Sequence, residues 1–283
     1  MASFSMPTER NFGWALKPTD STAFEIIERA NGQFCVVLNH SLLRGVTSEM
    51  IYWWFLNFPN LRVSLQGVSG YETQTVPGYL LWHPSDHCSA ELLGSLGPDG
   101  TSKAGAKIHI REAMRYNKFA LKYPVDTALS IFYCAPDGWA MGKRLPILGK
   151  VMCLSIRFKD VVSDGQVIGV HYHYEVVIGA TGNNPLVRAF NRRLTKEYST
   201  EFFDAWHLHN SIEVGTFENF LPALFAQRNS DSGFRYAVDM DPMKAETTQQ
   251  SAYSRELFDR RVEGYKSAND PHAYQASESA SFL

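Results

Sequence analysis

The sequence predicts an α+β fold in which an antiparallel sheet precedes one long helix, and three observations predict it. The first is a series of strand-like runs at residues 128–134, 150–158 and 167–178. The second is Asp164-Gly165, a hairpin turn between the last two runs, which makes the sheet antiparallel. The third is a helical pattern that begins at Pro185 and continues to about residue 215. Strands followed by a long helix favour a curved sheet with the helix lying across it.

Earlier elements complete this outline. Residues 34–39 form a short apolar run that is typical of a buried strand. Thr47 or Ser48 can cap a helix that ends at Pro59. A turn-rich loop over residues 94–106 then leads into the strand-like KIHIRE. The consecutive aromatic residues of the first helix indicate core packing more than the lining of a pocket.

Composition favours a globular protein with a small-molecule partner. The 283 residues are 45% hydrophobic and 20% charged, which is enough to fold around a core. The formal net charge of −2 gives no overall basic field, so nucleic acid and anionic membrane are poor partners. The first residues have no apolar leader, and no apolar run is long enough to span a bilayer, so we expect a cytosolic protein. The four cysteines have no CxxC spacing, which argues against a cysteine zinc site or a disulfide framework.

A mixed set of histidines and glutamates is the strongest candidate for chemistry. His209 and Glu213 are four residues apart, so on a helix their side chains lie on one face and can converge on one ion. Glu112 shares the apolar, inward face of a strand because side chains alternate there. His83 and His87 flank a turn at Pro84, and either can be a further ligand. Two nitrogens and two oxygens suit zinc, although iron, manganese or cobalt also accept them.

A second candidate pattern is the strand GVHYHYEVV. His171 and His173 lie on one face of the strand, and Tyr172 and Tyr174 lie on the other. One pair should face the cavity under the sheet, where a histidine could transfer protons and a tyrosine could bind a phenolic oxygen. A polar strand with its histidines in water explains the pattern equally well. Phosphate-binding loops and the nucleophile elbow of serine hydrolases are absent from the sequence.

The segments YLLWHPSDH, IHIRE and HNSIEVGTFENFLPALF together resemble the diacetylphloroglucinol hydrolase family, which includes phloretin hydrolase. The resemblance covers roughly residues 35–227. It implies a Bet v 1-like helix-grip fold and one zinc ion (Zn2+), bound at the positions of His87, Glu112, His209 and Glu213. The interval between the first two ligands is shorter here than in bacterial members, and Ile212 replaces a glutamate beside the last one.

The resemblance also implies a reaction and a division of the chain. The reaction is hydrolysis of the carbon–carbon bond between an aromatic ring and an acyl group of a small phenolic ketone. Tyr79 and His173 are the candidates for contacts with ring hydroxyls and for proton transfer. Residues 1–34 are then an N-terminal arm, residues 35–228 a catalytic domain and residues 229–283 a polar C-terminal extension. A homodimer remains open, because the N-terminal region that forms it in bacterial members is shorter here.

Two other functions fit the same sequence. The cavity could guide a dehydration, cyclisation or cycloaddition in secondary metabolism, because a fold does not fix its chemistry. A protein that only carries a hydrophobic phenol is a third hypothesis. Loss of metal without loss of activity would favour the first alternative, and turnover of any acylphenol would exclude the second.

Overall fold

A computed structural model of the chain describes residues 4–7, 9–65, 70–114 and 122–229. The predicted extension at residues 229–283 therefore lies outside the described residues, apart from Asn229. The strands are β1 (Thr22–Glu28), β2 (Phe34–His40), β3 (Leu43–Arg44), β4 (Arg62–Ser64), β5 (Thr75–Pro77), β6 (His87–Leu93), β7 (Lys107–Ala113), β8 (Pro124–Ala135), β9 (Gly138–Leu145), β10 (Gly149–Ser163) and β11 (Gln166–Ile178). The helices are α1 (Ser48–Asn57), α2 (Tyr79–Trp82), α3 (Pro185–Thr195), α4 (Thr200–Gly215) and α5 (Phe217–Ala226).

One large antiparallel sheet organises the molecule. Its strand order is β1-β2-β11-β10-β9-β8-β7-β6, with β3 paired to β11, while β4 and β5 form a separate ribbon. The inner face is covered by helices: α1 lies against β8, β9 and β10, and α4 contacts β1 and β2. A curved antiparallel sheet that holds C-terminal helices is the helix-grip arrangement. The predicted α+β, Bet v 1-like fold is therefore confirmed.

Local signals in the sequence explain several boundaries. Thr47 caps α1, since its side chain accepts a hydrogen bond from the backbone N–H of Met50. Asp164 and Gly165 both have positive φ angles, 52° and 76°, as the predicted hairpin turn between β10 and β11 requires. Strands β1, β6 and β9 lack a strong alternating pattern and were not predicted from the sequence.

The prediction of one continuous helix from Pro185 to about residue 215 is wrong, because this segment contains the two helices α3 and α4, and α5 follows them. Asn184 caps α3 and Pro185 begins it, as the helical pattern predicted, but the helix ends at Thr195. Ser199 then adopts an extended backbone conformation, and its side chain accepts a hydrogen bond from the N–H of Phe202 to start α4. The polar residues between the two helices therefore allow α4 to take its own direction under the sheet.

The described part of the predicted N-terminal arm packs against the main domain. Phe12, Trp14 and Leu16 are buried in the principal apolar core. Lys17 is buried as well, and its ammonium group donates to Glu218 Oε1 of α5 at 2.7 Å. The arm thus closes the core beneath α5, and β1 continues from it as the edge of the sheet. Among the described helices, none is long and apolar enough to cross a membrane.

Candidate metal centre

His87 begins β6 and points its Nε2 atom at two carboxylates. Its Nδ1 atom lies 2.9 Å from the carbonyl oxygen of Tyr79, which can only accept, so Nδ1 carries the proton. The other nitrogen, Nε2, then presents a lone pair. It lies 3.6 Å from Glu112 Oε2 and 3.6 Å from Glu213 Oε1.

This arrangement calls for a cation. Nε2 of His87 is fully buried and has no hydrogen-bond partner in the part of the chain that the structure describes, although buried polar atoms are nearly always satisfied. A lone pair facing carboxylate oxygens is electrostatically unfavourable unless a proton or a metal ion lies between them. Protonation of His87 is opposed, because burial and the charge of His209 hold its pKa well below 6.5. A metal ion therefore fits these donors better than a proton does.

The fourth member of the cluster comes from α4. His209 and Glu213 are one helical turn apart, and His209 Nε2 lies 3.8 Å from Glu213 Oε2. One potential ligand atom from each of His87, Glu112 and His209 lies within 4.8 Å of the others. All four residues predicted as ligands are thus brought together from β6, β7 and α4. The described residues could hold a metal ion here.

The alternative ligand His83 has a different role. Its Nδ1 atom accepts hydrogen bonds from the backbone N–H groups of Ser85 and Asp86, at 3.4 and 3.1 Å. The proton of neutral His83 is therefore on Nε2, which lies 3.6 Å from Asp86 Oδ2. His83, Asp86 and His209 are close enough to form a second candidate group. A nitrogen that carries a proton cannot bind a metal, so the hydrogen bonds favour His87.

Buried partners orient the candidate ligands. Asp86 Oδ2 accepts a hydrogen bond from His209 Nδ1 at 2.8 Å, which leaves Nε2 of His209 to face the cluster. The hydroxyl of Tyr79 donates to Glu112 Oε2 at 2.6 Å. The Tyr79 ring also stacks on the His87 ring, with a centroid distance of 3.8 Å and an interplanar angle of 8°. Such partners are typical of the residues that surround metal ligands.

A series of buried hydrogen bonds holds the carboxylate of Glu213 in position. Its Oε2 atom accepts from the Asn210 side-chain amide at 3.1 Å. The Asn210 oxygen lies 2.9 Å from His40 Nε2, and His40 Nδ1 lies 3.2 Å from the Thr22 hydroxyl. Each of Thr22, His40 and Asn210 is buried. This series links the edge strand β1 to the carboxylate at the centre of the molecule.

Burial and neighbouring charges shift the pKa values of the ionisable groups in the cluster. Burial raises the pKa of Glu213 to about 8, and the negative charge of Glu112 adds to this effect. Burial alone would lower the pKa of His209, but its hydrogen bond to Asp86 and the charges of both glutamates raise it to about 9. Burial also raises the pKa of Asp86 to about 6. The metal-free cluster thus tends to keep protons in place of a cation.

The cluster lies at one end of a cavity of about 410 Å³ between the sheet and the helices. Tyr79, Glu112, His209 and Glu213 line that end. The remaining wall is mostly apolar and aromatic, and includes Phe55, Phe58, Trp82, Ile108, Ile110, Trp139, Tyr172, Tyr174, Phe202 and Trp206. A volume of this size is in the range of small-molecule sites. The expectation that Glu112 shares the inward face of β7 with Ile108 and Ile110 is confirmed.

His173, which was predicted to transfer protons, does not line this cavity. Alternation along β11 turns Tyr172 and Tyr174 toward the cavity and His173 to the opposite face. There His173 Nδ1 lies 2.6 Å from Asn39 Oδ1 of β2. Tyr174 accepts a hydrogen bond from Trp206, whereas the buried hydroxyl of Tyr172 has no hydrogen-bond partner among the residues that the structure describes. Tyr172 is thus a cavity residue that the sequence offered only as one of two alternatives.

Asp86 and Asn210 are the site residues that sequence reasoning missed. Both are short polar side chains beside predicted ligands, one before His87 and one after His209. The full burial of both side chains identifies them as site residues. This burial arises from the contact between the segment WHPSDH and α4, so it cannot be read from the sequence. In the sequence, the only signal for Asn210 is its place between two other polar residues, His209 and Ser211, in an apolar helical segment.

Comparison with known proteins adds little to this description. No family model matches the chain, and no curated protein matches it. A Staphylococcus aureus protein of unknown function is 11% identical over 69% of this chain and 96% of its own, with a TM-score of 0.35. Ara h 8.0201 is 12% identical over 66% of this chain and 98% of its own, with a TM-score of 0.30. At TM-scores this low the likenesses carry no argument, so the fold assignment depends on the strand order and helices described above.

Proposed function

We propose that the protein is a zinc-dependent hydrolase that cleaves the carbon–carbon bond between an aromatic ring and an acyl group, releasing a carboxylic acid. One observation carries the proposal. The Nε2 atom of His87, which has no hydrogen-bond partner among the described residues, faces Glu112 and Glu213 beside an aromatic cavity. The donor set and the cavity thus combine a cation site with a pocket for a flat phenolic molecule.

The donor chemistry favours zinc. His87 and His209 offer nitrogens, Glu112 and Glu213 offer oxygens, and buried hydrogen bonds hold the ligands in place. Such mixed nitrogen and oxygen sites are typical of zinc, with iron(II), manganese and cobalt as competitors. Bound zinc would supply a Lewis acid for a ketone oxygen or for the activation of water.

The cavity wall supports a phenolic substrate. Phe55, Trp82 and Trp139 offer flat faces to an aromatic ring. Burial holds the pKa of Tyr172 well above 10, so its hydroxyl stays protonated and can donate to a ring oxygen. The apolar walls would exclude bulk water from the reacting bond.

The reaction balances with water as the only co-substrate. Water adds its oxygen to the ketone carbon, and the bond between that carbon and the ring then breaks. The electron pair stays on the ring carbon, which takes up a proton, while the acyl group leaves as the carboxylic acid. A hydrogen bond from Tyr172 to a ring oxygen favours the keto form of the ring, which makes the ring carbon a better leaving group.

The test is zinc content measured together with acid release from acetylphloroglucinol and phloretin. The purified chain should hold one equivalent of zinc, and His87→Ala and Glu213→Gln should lose both zinc and acid release. His109→Ala and Glu91→Gln are matched controls, since both residues lie on neighbouring strand positions that do not line the cavity. They should keep both properties.

Other outcomes would select the competing hypotheses. A folded, metal-free protein that still transforms a phenolic or polyketide substrate would favour a metal-independent cyclisation or dehydration. A protein that binds phenols tightly but transforms none would be a carrier. Either result would overturn the hydrolase proposal.

A further inference from the structure

An apolar tip projects from one end of the sheet. Strands β9 and β10 are joined by a turn at residues 146–148, and Ile147 in this turn is 99% exposed. Leu145, just before the turn, is 42% exposed. Leu186, in the first turn of α3, is 67% exposed. Exposed aliphatic side chains grouped in this way commonly mark an interaction surface.

The turn and α3 form one continuous surface. Leu148 of the turn and Phe190 of α3 pack against the same small apolar cluster, which contains Val151 and Val187. We call the surface made by residues 143–150 and 185–193 the hairpin tip. Its exposed aliphatic residues therefore belong to one patch that is held by shared packing.

The hairpin tip is strongly basic. It contains Lys143, Arg144, Lys150, Arg188, Arg192 and Arg193, and no aspartate or glutamate. The strand register places Glu28 of β1 and Asp126 of β8 at this same end of the sheet, and Glu197 lies two positions after α3. A chain whose formal net charge is −2 thus gathers positive charge at one end. This local field favours an anionic partner.

The backbone at the tip is strained. Ile147 has a φ angle of +72°, which a β-branched residue rarely adopts. Its side chain points into solvent, so no packing within the described residues compensates for the strain. Glycine would suit this position better in terms of folding alone. An isoleucine here is better explained by an external contact than by stability.

We infer that the hairpin tip docks on an anionic lipid bilayer surface, with Ile147 and Leu145 entering the boundary between headgroups and acyl chains. The basic residues would contact the lipid phosphates. A projecting tip suits insertion into a lipid phase, whereas an acidic protein would need a complementary groove for Ile147. The charge balance of the whole chain argues against an anionic membrane, but it does not describe this clustered end.

The position of the cavity agrees with lipid docking. Exposed Lys143 and half-buried Tyr198 line the cavity, so it opens toward the end that carries the hairpin tip. An apolar ligand dissolved in the bilayer could then enter without crossing bulk water. The inference stands independently of the proposed reaction.

The test is cosedimentation of the full chain with lipid vesicles. Vesicles of phosphatidylserine and phosphatidylcholine in equal parts should bind it, vesicles of phosphatidylcholine alone should not, and added salt should weaken binding. Ile147→Gly should lower the partition coefficient about tenfold without lowering the melting temperature. Arg192→Gln with Arg193→Gln should lower it on the order of tenfold or more.

The matched control is Val162→Ser, which removes an exposed aliphatic side chain from the hairpin between β10 and β11. This variant should bind vesicles as the parent chain does. Absence of binding to the anionic vesicles, or equal binding by the Ile147→Gly variant, would overturn the inference. Salt-sensitive binding to polyglutamate in place of vesicles would assign the tip to an acidic protein and would also overturn it.

Discussion

Asp86 is a buried residue that orients one of the four candidate metal ligands. Its carboxylate fixes which nitrogen of His209 carries the proton and how the ring is turned. Asp86 is completely buried and also accepts from the Ser85 hydroxyl at 3.3 Å. The affinity of the candidate site for a metal ion should therefore depend on Asp86 as well as on the four candidate ligands.

Asp86→Asn is expected to weaken zinc binding by about 10-fold to 100-fold, since the amide is a poorer acceptor and raises the basicity of His209 less. A competition titration with a zinc chelator measures this change. Asp204→Asn, on the exposed side of the same helix, is the control and should keep the parent affinity. Equal affinity in Asp86→Asn would show that Asp86 only fills space.

The metal-free protein should lose stability as the pH rises from 6.5 to 9. Glu213, with a pKa of about 8, and His209, with a pKa of about 9, keep protons in the folded chain that the unfolded chain releases at lower pH. The folded state then binds more protons, so the free energy of unfolding falls with rising pH. The contribution of His209 is complete below 6.5 and lost through about pH 9.

Urea unfolding in the presence of a chelator, at several pH values in this window, measures the effect. With zinc bound, the same ligands must be deprotonated, so rising pH should favour the loaded form. A chelated protein whose stability is flat across the window would contradict the assignment of these buried protons.

At the scale of elements, the sequence predicted whether a segment is a helix or a strand better than it predicted where that element ends. The strand at residues 167–178, the cap at Thr47 and the inward face of Glu112 were predicted because alternation and capping are local properties. Strands β1 and β6 were missed because their burial depends on what covers them, which is not a local property. Asp86 and Asn210 escaped for the same reason.

The break between α3 and α4 gives a prediction at this scale. Ser199→Ala should destabilise the protein by about 1 kcal/mol, because the N–H of Phe202 loses its cap. The midpoint of urea unfolding measures the change. Ser163→Ala, at the exposed end of β10, should have little effect. Unchanged stability in Ser199→Ala would mean that packing alone starts α4.

At the scale of the whole molecule, the N-terminal arm is part of the core. Trp14 is 3% exposed and its ring lies 5.7 Å from that of Phe220 in α5, in a stacked arrangement. The arm therefore ties the first residues of the chain to its last described helix. The predicted domain boundary at residue 34 would cut through this packing.

Trp14→Ala should cost about 3–5 kcal/mol of unfolding free energy, since it leaves a large cavity in the core. Ile26→Ala, at a 40% exposed position on β1, should cost about 0.5 kcal/mol or less. Urea unfolding of both variants tests the difference. Similar stability in the two would show that the arm is dispensable.

The hydrogen bonds between Thr22 and Glu213 have a direction. Because the Asn210 amide donates to Glu213, its oxygen must accept, so His40 carries its proton on Nε2 and accepts from the Thr22 hydroxyl through Nδ1. Every donor thus points inward, and reversing any one group would set two donors or two acceptors face to face. The edge of the sheet thereby fixes Oε2 of Glu213 as an acceptor and leaves Oε1 to face His87.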